Sequence, residues 1–159
     1  MSTPRTIHHT GYTVADLDRS LRFYRDLLGL EVLATQEKQG GYIGAIVGHA
    51  DAHVRMAHLR VPGDGHVVEL FQYLAPAGER PAAIDPPDVG TSHLCFVVED
   101  LPALYERLRE AGVDSFVSPP VEVDTGINRG GWALYVRDPD GIPVELFQPP
   151  RRDEAAVGG

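Results

Sequence analysis

The 159-residue sequence predicts an α+β fold of two tandem β-α-β-β-β modules, joined in a curved, cup-shaped mixed sheet with the helices outside. Three observations predict it. The pentapeptide Val68-Glu69-Leu70-Phe71-Gln72 recurs letter for letter as Val144-Glu145-Leu146-Phe147-Gln148, each copy ending one half of the chain. Sliding the chain along itself also lays the stretch from His9 through Val14 and Asp16 to Leu17 on the stretch from His93 through Val98 and Asp100 to Leu101, and these open the halves. A proline-rich stretch, residues 74–90, separates them. A repeat of this kind constrains the whole fold before any single residue is interpreted.

Each element has a local signal. Residues of about 7–14 and 91–98 are rich in β-branched and aromatic side chains and read as the opening strands. Both run into Asp-Leu and a helical pattern. Leu17, Leu21, Tyr24 and Leu28 recur at spacings of three and four, with Asp16 or Asp18 as N-cap and Gly29 as the stop. Leu101, Leu104, Tyr105 and Leu108 repeat the pattern, with Asp100 as cap, Pro102 in the first turn and Gly112 at the end. Three strands follow each helix, at about 30–37, 53–61 and 66–73 and then at about 113–117, 131–137 and 143–148. The last two of each set are joined by turn formers, Pro62-Gly63-Asp64-Gly65 and Asp138-Pro139-Asp140-Gly141. Residues 124–129, ahead of Gly130-Gly131, are polar and long enough for a mobile lid. Module 1 thus covers about 7–73, the linker about 74–90 and module 2 about 91–148. The tail, 149–159, lacks an apolar face, and the whole of 1–159 counts as a single domain.

Composition narrows the function. There are 14 Lys and Arg against 23 Asp and Glu, a formal net charge of −9, and no basic cluster longer than Arg151-Arg152. Nucleic acid is therefore excluded as a partner, because affinity for a phosphate backbone needs clustered cations. Apolar runs are only a few residues long, which excludes a membrane-spanning segment. The single cysteine, Cys95, rules out an intrachain disulfide and a Cys-rich zinc module. The first residues show no apolar stretch of the kind that marks export, so a cytoplasmic location is expected. What remains is a protein acting on a small molecule.

Strand alternation selects the residues for that action. In the first strand His9, Gly11 and Thr13 share a face, and in its counterpart His93, Cys95 and Val97 do. The opposite faces carry the apolar residues that must meet the helix, so His9 and His93 look into the cup. Glu69 shares a face with Val67, Phe71 and Tyr73, and Glu145 with Pro143 and Phe147. A carboxylate among apolar neighbours is costly unless a cation pairs with it. The repeat therefore delivers His, Glu, His, Glu at symmetric positions, a ligand set suited to one divalent ion, Fe, Co, Ni, Zn or Mn, with open positions left for water or substrate. His8, His49, His53, His58 and His66 have no counterpart in the repeat and are expected in surface or supporting roles. Phe71, Tyr73, Phe147 and Trp132 are expected to line the cup together with Thr13 and Cys95, the latter as a small buried hydrophobe.

These residues resemble the vicinal oxygen chelate superfamily, which includes glyoxalase I, methylmalonyl-CoA epimerase, extradiol dioxygenases, fosfomycin-resistance enzymes and bleomycin-binding proteins. The resemblance runs over about 7–148 and rests on His9 through Asp16-Leu17, Ser20-Leu21-Arg22-Phe23-Tyr24 with Leu28-Gly29-Leu30, His93 with Asp100-Leu101, and Asp138-Pro139-Asp140-Gly141 leading to Glu145-Leu146. It implies paired β-α-β-β-β modules, with metal ligands at His9, Glu69, His93 and Glu145. The pattern is most similar to bacterial glyoxalase I. Thr13 stands where that enzyme has an Arg for glutathione, however, and Tyr73 where it has an Asn, which argues against a glutathione-bound substrate. The implied activity is that of a metal-dependent lyase or isomerase, with Glu69 or Glu145 as general base acting on a substrate chelated through vicinal oxygens. An Fe(II) extradiol-type dioxygenase and a drug- or metabolite-binding resistance protein are the alternatives. A homodimer is expected, and either one chain or two chains exchanging halves can complete the four-residue set.

Overall fold

The computed structural model describes residues 3–79 and 85–151. The chain divides into two compact units, Met1–Ala82 and Ala83–Gly159, each carrying one four-stranded mixed sheet. Among the described residues there are three α-helices, and none is long and apolar enough to cross a membrane.

In the first unit β1 (His9–Thr13) leads into α1 (Leu17–Leu21), and β2 (Glu31–Gln39), α2 (Gly41–Val47), β3 (His53–Arg60) and β4 (Val67–Ala75) follow. The sheet order is β1-β4-β3-β2, with β1 parallel to β4 and the other pairs antiparallel. Asp16 caps α1 as the sequence predicts, accepting the Arg19 amide at 2.9 Å. The helix does not continue as a regular α-helix to Leu28. From Arg22 to Leu27 it widens into π geometry, with the Leu28 amide donating to the Phe23 carbonyl at 3.0 Å. The wider turn admits two consecutive aromatic residues, Phe23 and Tyr24, to the interior, packed edge to face with centroids 5.1 Å apart. Ala57, Leu59, Val68 and Leu70 are fully buried on the same side of the sheet as Leu17 and Tyr24. Each large aliphatic side chain so buried contributes about 1.5–3 kcal/mol.

The second unit repeats the plan. β5 (Leu94–Val97), α3 (Leu101–Glu110), β6 (Val121–Glu122), β7 (Trp132–Arg137) and β8 (Pro143–Gln148) form a sheet of order β5-β8-β7-β6. Asp100 caps α3 through the Ala103 amide, and Phe96, Leu101, Leu108, Leu134, Val136, Val144 and Leu146 fill the core. The opening strand is shorter than expected, leaving His93 one residue ahead of it. The strand expected at 113–117 makes only the Phe116–Val136 bridge beside β7, and the fourth strand is Val121–Glu122. Pro119 and Pro120 explain the interruption, since neither has an N–H to give a ladder. Residues 124–129 form a connection whose ends are closed by Val123 N to Gly131 O and Gly130 N to Val123 O, both 2.8 Å. Leu74 and Ala75, placed in the linker by sequence, belong to β4, whereas 80–84 and tail residues 152–159 lie outside the described residues.

α2 has no forecast in the sequence. Gly-Tyr-Ile-Gly-Ala-Ile-Val is poor in helix formers. It exists because of packing: Ile43 lies in a cluster with Val54 and Met56, against which Val47, Phe71 and Tyr73 also pack. At Gly44 a Cβ would stand 2.4 Å from the Ala50 carbonyl oxygen, so glycine is what lets the chain turn back on itself there.

The repeated pentapeptide also has a structural role at its last residue. Gln72 Oε1 accepts the Leu17 amide at 3.2 Å and its Nε2 donates to the Ala15 carbonyl, while Gln148 Oε1 accepts the Leu101 amide at 2.8 Å. Each Gln ties a helix start to the strand that bears the Glu. Gln148→Ala is expected to lower stability by about 1–2 kcal/mol, the cost of leaving a part-buried amide unpaired, and Gln148→Glu to recover part of it by restoring the acceptor. Urea denaturation midpoints measure both, and a midpoint unchanged in Gln148→Ala would remove this role.

Candidate active site

The side of each sheet away from the helix is built around its Glu. In unit 1 the register sets Gly11 beside Glu69 and Thr13 beside Phe71, so His9, Gly11 and Thr13 stand on the Glu69 face as the alternation predicts. Glu69 is buried, its side chain 10% exposed, and both oxygens are engaged. His9 Nε2 lies 3.3 Å from Oε2 and His58 Nε2 lies 2.6 Å from Oε1. The other nitrogen of His9 is also held, with His8 Nδ1 2.8 Å from His9 Nδ1. A ligand-type His usually has such a partner on its second nitrogen, which fixes the ring.

Unit 2 carries the same pair with different support. His93 Nε2 is 3.1 Å from Glu145 Oε2, and the Tyr135 hydroxyl lies 3.2 Å from each. The His93 and Tyr135 rings meet edge to face at 5.2 Å. Burial first, and then the charge and hydrogen-bond acceptance of Glu145, raise the Tyr135 hydroxyl above its ordinary pKa, keeping it a donor. Cys95 takes the place that Gly11 has in unit 1, directly beside the Glu. It is exposed on this face, not the buried hydrophobe expected from the sequence. Its thiol is pushed up to about 11 by partial desolvation of the sulfur, then by the Glu145 charge and a hydrogen bond to that carboxylate.

The expected lining residues divide. Phe147 shares the Glu145 face and covers Gly131, where a Cβ would come within 3.1 Å of its ring. Phe71 and Tyr73 share the Glu69 face, their rings stacked 6.2 Å apart, but they pack with the α2 cluster, which claims part of the surface assigned to a ligand. Trp132 is a correction. Its register partner is Gln148 and it alternates with Ala133 and Tyr135, so it stands on the opposite face of the sheet from Glu145. Tyr135 occupies the site face in its stead. Tyr135 is the contributor absent from the sequence reading, whereas His8 and His58, expected only in surface or supporting roles, stand against His9 and Glu69. His58 and Tyr135 lie straight across the ladder from Glu69 and Glu145, a relation that appears only once the register is fixed.

Both His–Glu pairs fit the edge of a metal coordination shell. Two donors about 2.1 Å from an ion and roughly 90–105° apart are about 3.0–3.3 Å from each other, which is the spacing in each unit. Among the described residues no three His, Cys, Asp or Glu side chains gather as a complete metal site. His58 does not supply a third donor to His9 and Glu69, because it meets the carboxylate at its other oxygen.

Comparison with known proteins agrees with the architecture. Residues 6–146 match the family model described as the Glyoxalase/Bleomycin resistance protein/Dioxygenase superfamily. The chain is 34% identical over 148 residues to a 2-epi-5-epi-valiolone epimerase of Actinomyces sp, covering 91% of this chain and 79% of that one. It is 31% identical over 153 residues to a probable lactoylglutathione lyase of Vibrio parahaemolyticus, covering 93% of each. A glyoxalase family protein of Bacillus cereus has the same fold, with a TM-score of 0.80 at 23% identity over 95% of this chain and 99% of that one. With two sheets of one plan, a His–Glu pair on each and a family match over nearly its whole length, this chain belongs to the Glyoxalase/Bleomycin resistance protein/Dioxygenase superfamily.

Proposed function

We propose that the protein is a divalent-metal-dependent enzyme of the isomerase or lyase type that moves a proton on carbon next to a carbonyl of a small oxygenated substrate. His9, Glu69, His93 and Glu145 are its metal ligands, contributed within one chain or by two. The observation that carries the proposal is the repetition of one His–Glu pair, at 3.3 and 3.1 Å, at equivalent places in the two units. A gatekeeper charge on a strand has no reason to recur beside an equivalent imidazole. The names of the relatives, an epimerase and a probable lactoylglutathione lyase, support proton transfer at carbon as the reaction class.

A metal bound by these residues supplies Lewis acidity to a substrate carbonyl, which acidifies the neighbouring C–H. The chain itself supplies the base. Glu145 is the better placed of the two carboxylates, with a side chain 22% exposed against 10% for Glu69, whose two oxygens are both occupied by imidazoles. Glu145 takes the proton and returns it, to the same carbon or its neighbour. In the metal-free structure Tyr135, held protonated beside it, donates to Oε2 of this carboxylate. The proposal does not extend to a glutathione conjugate. Thr13 carries no cation to receive the peptide's carboxylates, and Tyr73 is committed to packing with α2.

Two tests follow from this assignment. Protein purified without chelator, or reconstituted with Ni, Co, Zn, Mn or Fe, is expected to bind one divalent ion per site by elemental analysis, and His9→Ala to weaken binding about a hundredfold or more, beyond the loss typical of a supporting residue. Solvent-deuterium exchange into a panel of α-hydroxycarbonyl compounds, followed by NMR, is expected for the loaded protein and to fall about 10²–10⁴-fold in Glu145→Gln. Oxygen uptake with a catechol by the iron-loaded protein, without exchange, would sink the assignment in favour of a dioxygenase. Unaltered affinity for a captured ligand in Glu145→Gln, with no turnover in either form, would mark a binding protein.

Cys95 is not a nucleophile in this scheme. With its pKa raised to about 11, the thiol of the metal-free protein stays protonated at neutral pH and ionises only as pH climbs toward that value. Iodoacetamide alkylation of Cys95 should therefore be slower than that of an unperturbed cysteine at pH 8, and Glu145→Gln should speed it by removing the charge that disfavours the thiolate. Fast alkylation in the unaltered protein contradicts this.

A further inference from the structure

The two carboxylates face equivalent positions on the next strand, and those positions hold different residues: His58 opposite Glu69 and Tyr135 opposite Glu145. The two neighbours also grip different oxygens. His58 Nε2 takes Glu69 Oε1 at 2.6 Å, leaving Oε2 to His9 at 3.3 Å. Tyr135 takes Glu145 Oε2, the same oxygen that faces His93, and sits 3.2 Å from His93 Nε2 as well. The His58 grip is well fixed. Its Nδ1 is buried with no hydrogen-bond partner among the described residues, so Nε2 is the nitrogen that bonds. The strand is anchored around it by Met56 in the α2 cluster and by Ala57 and Leu59 in the core.

We propose that His58 is a positioning residue: by holding Glu69 Oε1 it turns Oε2 toward His9, so that Glu69 meets a divalent cation as a one-oxygen anchor, whereas Tyr135 competes with that cation for Glu145 Oε2 and His93 Nε2. This rests on the metal assignment proposed above. Its consequence is a difference in sign between two residues at equivalent places. The bond from His58 survives when an ion occupies Oε2 and keeps the carboxylate from rotating away. The contacts of Tyr135 lie on the very atoms an ion takes, and they must be displaced.

The experiment measures Co(II) and Zn(II) affinity of metal-free full-length protein by competition with a chromogenic chelator at one near-neutral pH. The variants are His58→Leu, His58→Gln and Tyr135→Phe, each checked by thermal melting. His58→Leu is expected to weaken both metals about 10–100-fold, the range for loss of a ligand's supporting hydrogen bond. His58→Gln, whose amide N–H reaches the same kind of acceptor, is expected to regain most of that affinity, a rescue that loss of packing alone would not show. Tyr135→Phe is expected to bind as tightly as the unaltered protein or more tightly. The Co(II) visible spectrum should change in His58→Leu and return toward normal in His58→Gln. If His58→Leu does not fold, His58→Ala carries the same expectation. A folded His58→Leu or His58→Ala with unchanged affinity overturns the role of His58, as does a Gln variant no better than the Leu one. A Tyr135→Phe loss equal to that of His58→Leu overturns the asymmetry. If the unaltered protein binds neither metal, the ligand assignment itself fails and this role falls with it.

Discussion

A strand whose one face meets the helix has no freedom in where its residues go, and that constraint governs both units. In β4, Val68 and Leu70 must be inside, so Glu69 must be on the other face; β8 repeats the logic with Val144, Leu146 and Glu145. A slip of one residue would put a carboxylate in the core and two aliphatic side chains in water, a loss of several kcal/mol from burial alone. The terminal Gln extends the constraint to the helix by pairing with its first amides. One pentapeptide therefore sets core, site and helix docking together, which gives a physical reason for its survival unchanged in both halves.

The same rigidity explains what could be seen in the sequence. Strands near 31–39, 53–60, 67–75, 132–137 and 143–148 and the Asp16 and Asp100 caps were visible because period-two alternation and capping chemistry are local. The helix over Gly41–Val47 was invisible because its residues argue against helix and its cause is tertiary, the packing of Ile43 on Val54 and Met56. Residues 113–117 carry a strand-like apolar pattern but pair with β7 only at Phe116, and Pro119-Pro120 separate them from the short fourth strand. On the Glu faces, symmetry in the sequence points to the two His–Glu pairs, His9 with Glu69 and His93 with Glu145. His58 and Tyr135 break that symmetry, and Trp132 was assigned to a face that parity in β7 denies it. Cross-strand neighbours depend on register, and a single strand does not disclose its register.

What the halves do not share is as informative as what they do. Beside Glu69 stands Gly11, and beside Glu145 stands Cys95; across from them stand His58 and Tyr135. Glu69 is consequently a carboxylate with two imidazoles on two oxygens and little exposure. Glu145 is a more open carboxylate beside two weak acids, a phenol and a thiol, whose pKa values are raised first by burial and then by its charge. On the assignment proposed above, such environments separate the duties of two chemically identical groups, Glu69 as the anchor and Glu145 as the proton carrier.

Duplication makes this separation easy to reach. A repeat starts with two equal half-sites, and the dry face of each is pinned by the packing that holds the unit together, so change there is costly. On the Glu face several positions carry little of that burden: Thr13, Cys95 and Val97 are exposed. Divergence is therefore channelled to positions flanking the carboxylates, where it alters charge, hydrogen bonding and shape without touching the fold. Specificity within such a protein should then be read from the residues in which its two halves differ on the Glu faces, and general mechanism from those in which they agree. Here the agreement is His and Glu, and the difference is His58 against Tyr135 and Gly11 against Cys95.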